Sequence, residues 1–147
     1  MAIIADGARD RVEQLLLVTD RLTGLIVEET RRIDAREPPM DGAEAEEKTR
    51  LANIYRMELG RIQEDRNLIS AAPSELLVKL RRQTEALNAA LGRHELALNA
   101  VKVVAEGLVH AMAEEVVRQR GGGANYNARG GTNAPTGPAP AVLDRSA

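Results

Sequence analysis

His94 and His110 are the chain's two histidines, and with several adjacent carboxylates they are where acid–base or metal chemistry would have to sit. They do not form a metal site between them. On one helix they point about 160° apart, whereas a metal needs its ligands on a shared face, and no HExxH spacing occurs. His94 lies in an apolar stripe between Leu91 and Leu98, which allows a general base or a pH switch but makes a packed histidine the expectation. The adjacent acids Glu28–Glu29 and Glu114–Glu115 diverge by about 100° on a helix, so they read as solvated faces rather than a catalytic pair. The glycines at 121–123 have no strand before them and no helix opening after them, as a phosphate or dinucleotide loop requires. With no cysteine, thiolate catalysis, disulfides and Cys-ligated zinc are excluded. The expectation is a protein that is not an enzyme and uses no cofactor.

The elements that would position a binding surface are more legible. The 147 residues are 44% apolar, enough for one core, and the apolar set is Leu, Ala, Val and Ile with no Phe or Trp, which suits packed helices. Basic and acidic residues number 6 and 8 over 6–37, 5 and 7 over 41–66, and 7 and 6 over 74–120, so no basic face forms for nucleic acid or an anionic membrane. Uninterrupted apolar runs are short, as in LLLV at 15–18, and the N-terminus lacks a signal-peptide pattern. No membrane insertion and a cytoplasmic location are expected.

Residues 8–36 place Val12, Leu15, Thr19, Leu22, Ile26, Glu29 and Ile33 at alternating spacings of three and four, an amphipathic helix that Pro38 and Pro39 end. Asp41 stands three residues before Glu44, which predicts a reciprocal capping box opening a helix over about 42–70. Its apolar stripe is thin and broken by Glu58, Asp65 and Arg66. Pro73 suits the first position of a third helix over about 74–120, whose seam from Leu77 through Leu87, Leu98, Val101, Ala105, Leu108 and Met112 has coiled-coil character. Gly121 is placed to cap it, and 121–147, rich in Gly and Pro, reads as a flexible, disordered tail. The fold class predicted is all-α: a three-helix antiparallel bundle with a long C-terminal helix.

Helices of roughly 40 Å cannot cover one of roughly 70 Å. About 20 residues at the end of the third helix should lack an intramolecular partner, and they carry Val101, Val103, Val104, Ala105, Leu108, Val109, Met112, Val116 and Val117. Burying about six such side chains is worth on the order of 10–18 kcal/mol gross, against an association cost of very roughly 4–15 kcal/mol. Another protein's helix, a second copy in a homodimer, or a first helix that folds differently would each satisfy this surface, and periodicity does not choose among them. Gly107 could admit a close partner backbone or be a tolerated weak point.

A leucine-rich first helix, EKTRLANIYRMELGRIQ at 47–63, APSELLVKL at 72–80 and YNARG at 126–130 together resemble the FlgN-like flagellar export chaperones, particularly their alphaproteobacterial branch. The resemblance implies a small cytoplasmic helical protein that holds hook–filament junction proteins before secretion. It implies that the long helix, here from about Leu98 to Val117, engages an amphipathic C-terminal segment of the junction protein. It further implies that Tyr126 with Gly130 contacts the cytoplasmic domain of the flagellar export gate. The family's motif is more compact, whereas Asn127, Ala128 and Arg129 intervene here. A self-associating scaffold or basal-body adaptor is the competing reading.

Overall fold

The computed structural model describes residues 2–126, with side chains described through residue 121. Four helices occur in the order α1 (Ala8–Ala35), α2 (Gly42–Glu64), α3 (Asn67–Ser70) and α4 (Ser74–Tyr126), and no strand lies among the described residues. The all-α reading therefore stands, with one short helix added. The chain divides into two compact units, one through Val101 and the other from Lys102.

In the first unit α1 is central because its apolar residues recur with the helical period. Val12, Leu15, Leu16, Thr19, Leu22, Leu25 and Ile26 are all buried. Thr19 belongs in that stripe despite its hydroxyl, since Oγ1 donates to the Leu15 carbonyl at 2.7 Å and leaves no unpaired polar group. Arg36 closes the helix in the left-handed region, at φ 56° and ψ 33°. Its N–H donates to the Ile33 carbonyl at 3.2 Å, and Glu37 N–H donates to the Arg32 carbonyl at 2.9 Å. A glycine would hold that conformation without the steric cost that Cβ brings.

Ion pairs set the direction of α2 against α1. Arg11 meets Glu58, Arg21 meets Glu47, Glu29 meets Lys48 and Arg32 meets Glu44, so one helix runs up as the other runs down. The α1 and α4 layers advance together: Leu15 and Leu16 cluster with Leu80, and Leu22 and Ile26 with Leu87 and Ala90. The α2 residues Ile54, Tyr55 and Ile62 pack on the first layer, and Leu51 and Tyr55 on the second.

Several local expectations are corrected. Asp41 caps α2 by accepting from Glu44 N–H at 3.1 Å, but the reciprocal half of the box is replaced by an ion pair, because the Glu44 carboxylate lies 3.3 Å from Arg32. α2 stops at Glu64 rather than near 70: Asp65 is extended and its carboxylate accepts from Asn67 N–H at 3.0 Å, drawing the backbone out of the helix. Glu58, read as a break in the stripe, is fully buried between Arg11 at 2.6 Å and Arg61 at 3.1 Å. Finally, α4 continues to Tyr126 instead of ending near Arg120, and Gly121 does not take the left-handed capping conformation. Without that conformation the glycine only weakens the helix and does not terminate it.

Candidate functional site: the apolar face of the last helix

The region singled out by the sequence lies on α4. Within the first unit Leu98 and Val101 are exposed, and in the second unit every residue from Lys102 to Gly121 is exposed except Glu115, which is half-buried. Val104 retains 63% of its surface and Leu108 61%, values far outside what a packed core side chain shows. By helical spacing Val104, Ala105, Leu108, Met112 and Val116 share one side.

The rest of the circumference is mixed, with Lys102, Glu106, His110 and Glu114 set among the exposed Val103, Val109 and Val117. Lys102 and Glu106 approach to 3.9 Å, and His110 and Glu114 to 4.0 Å, each pair one turn apart. Glu115, which interrupts the apolar seam, is held by Arg118 and accepts from Gln119 at 3.2 Å, so its charge is compensated within the helix. These exposed pairs contribute little stability individually. A methyl group at Gly107 would meet nothing, so that glycine reads as a weak point in the helix.

Averaged over 18 residues rather than counted as uninterrupted runs, α4 between Ser74 and Gly121 reaches a mean hydropathy of 1.4 with only 6% of the window buried. By length and composition alone it qualifies as a membrane span. Among the described residues no group of three or more His, Asp or Glu side chains could hold a metal ion.

The remaining sites divide. His94 is not an isolated packed histidine: its Nε2, buried and without a hydrogen bond, lies 3.3 Å from Glu29 Oε2, and Lys48 Nζ holds that oxygen at 2.5 Å. The signal was present in the sequence as two polar residues, Glu29 and His94, each occupying a position in an otherwise apolar stripe. Tyr126 is the last residue of α4, with its side chain outside the described ones, and Gly130 lies outside the described residues altogether.

A relative of known association gives this helix its context. FlbY of Caulobacter vibrioides, a flagellar basal-body protein, is 44% identical over 131 residues, which is 89% of this chain and 88% of that protein. The chain belongs to the FlbY family. Membership makes it flagellum-associated, and because the match covers nearly nine-tenths of both chains it cannot rest on the tail alone or on one helix alone. No protein-family model and no solved structure matches the chain.

Proposed function

We propose that this FlbY-family protein is a cytoplasmic flagellar secretion chaperone that shields an amphipathic helical segment of a junction protein on the apolar face of α4. The observation that carries the reading is the exposure of Val104, Leu108, Met112 and Val116 along one side of a helix that no other described element covers. A water-exposed stripe of this kind is stabilised by covering it with another amphipathic helix. A bilayer is a poor alternative cover, because lipid would surround the whole helix and reach Lys102 and Glu106, at roughly 2.5–3.5 kcal/mol for each charge near the centre. The residues assigned to the partner are Leu98, Val101, Val104, Ala105, Leu108, Met112 and Val116. Tyr126 and Gly130 are assigned the contact with the export gate, in keeping with the resemblance of YNARG to the chaperone tail motif.

Light scattering after size exclusion, with and without a peptide from the C-terminus of a flagellar junction protein, tests the reading. A defined complex that Leu108→Asp abolishes supports it. A tight dimer indifferent to the peptide would favour the second reading, a basal-body adaptor or self-associating scaffold, which the description of the Caulobacter relative as a basal-body protein supports. For the tail, Tyr126→Ala should leave peptide binding unchanged and weaken binding to the cytoplasmic domain of the export gate; equal gate affinity would remove its role.

A further inference from the structure

The second unit runs from Lys102 to Ala147, and its helix leaves Val104, Leu108, Met112 and Val116 exposed along one side. Apolar groups on the same chain are the first to meet such a stripe, because their effective concentration is set by the length of the tether and not by the solution. The tether begins at Tyr126, the last residue of α4, and residues 127–147 lie outside the described ones. Their only branched aliphatic side chains are Val142 and Leu143, adjacent to one another and following the run PAPA at 138–141. Every other residue there is polar, charged, glycine, proline or alanine, so this pair is the one apolar point that the segment can offer.

The lengths match. Val142 stands sixteen residues beyond Tyr126. A coil of that length spans about 20–24 Å root-mean-square, and full extension reaches roughly 53 Å. Back along the helix axis, Val116 lies about 15 Å from Tyr126, Met112 about 21 Å and Leu108 about 27 Å. The middle of the stripe is therefore where the pair arrives without stretching its tether. Pro135, Pro138 and Pro140 disfavour a helix in the approach, so the pair has no helical structure of its own to give up on arrival.

We propose that residues 138–143 fold back on α4 of the same chain and seat Val142 and Leu143 beside Leu108, Met112 and Val116. Two side chains cover only part of the stripe, so an amphipathic helix that brings more apolar groups to it displaces them. The fold-back is thus a removable cover that lowers the affinity of the face by the fraction of chains it closes. Its use as a cover rests on the proposed docking role, whereas the contact itself does not.

The chain has no cysteine, so Met112→Cys reports the stripe while Leu108 and Val116 stay in place, and His110→Cys reports a position off it. N-ethylmaleimide labelling of each purified full chain is compared with that of the same chain carrying Val142→Asp and Leu143→Asp, changes that lie outside all four helices. The aspartates should speed labelling at Met112→Cys by about threefold or more, as expected if two-thirds of chains are closed, and leave His110→Cys unchanged. With Met112 in place, they should tighten binding of the junction-protein peptide by about the same factor, since one open fraction governs both. Equal labelling at Met112→Cys with and without the aspartates overturns the fold-back and leaves the docking role standing. Slow labelling that persists in the aspartate variant and deepens with protein concentration means that a second copy covers the stripe, and overturns it as well. Faster labelling with no peptide binding by either chain supports the fold-back and removes the docking role.

Discussion

Replacing Glu58 tests how α1 and α2 are held together. Its carboxylate is fully buried and pairs with Arg11, whose side chain is 15% exposed, and with Arg61, which is 43% exposed. Glu58→Ala strands a guanidinium that has little water to turn to. Breaking a buried pair costs about 3–5 kcal/mol, and the partial exposure of Arg11 places this case near about 3 kcal/mol. Arg61→Ala removes only the more exposed arm and should cost under about 1 kcal/mol. The double change Arg11→Leu with Glu58→Leu removes both buried charges and should return close to parental stability, because apolar groups of similar volume avoid the desolvation cost altogether. Urea unfolding followed by circular dichroism at the helical band measures all three. For a chain of this size about 3 kcal/mol corresponds to a melting point lower by roughly 6–12 °C. The reasoning fails if Glu58→Ala costs less than Arg61→Ala, or if the double variant is no more stable than Glu58→Ala, since either result would mean that the buried charge is not what the site must compensate.

Leu87→Ala should cost about 2–5 kcal/mol in urea unfolding because Leu87 is enclosed, whereas Leu108→Ala should change stability by less than about 0.5 kcal/mol while weakening peptide binding in the same preparation. Arg36→Gly should stabilise the fold by roughly 0.5–1 kcal/mol, since glycine adopts the left-handed conformation at the end of α1 without strain, and thermal melting would detect the rise. Hydrogen bonds from Arg31 and Arg32 hold the Glu28 carboxyl down at about 2, below its ordinary value of 4.5. A pKa lower in the folded state means that its contribution is present above about 4.5 and lost as pH falls towards 2. Glu28→Gln should therefore flatten the pH dependence of stability in that window, and an unchanged acid limb would remove Glu28 from the account.

Much of the fold was legible because it rests on period. The stripe of α1, the seam of α4, the prolines after α1 and the Asp41 cap are local patterns, and each forms where spacing places it. The exposed face at Val104, Leu108 and Met112 was legible for the same reason, from apolar spacing together with the unequal lengths of the helices. α2 was less so: Asp65 ends it through its own hydrogen bond to Asn67, which competes with helix on nearly equal terms, and composition does not say which wins.

What the sequence by itself determined, then, is the three long helices and the apolar stripes of α1 and α4, since these follow from interactions between residues three and four apart. Only the tertiary structure decided the fate of the polar residues within helical stripes. Glu58 became the buried partner of Arg11, and His94 came to rest beside Glu29 and Lys48. Whether a carboxylate or an imidazole in an apolar stripe breaks the packing or is compensated there depends on a charge from another helix, and that neighbour lies 47 residues away for Glu58. The physical reason is range: helical periodicity is written within a few residues, whereas the compensation of a buried charge is settled by whatever the fold brings to within 3 or 4 Å of it.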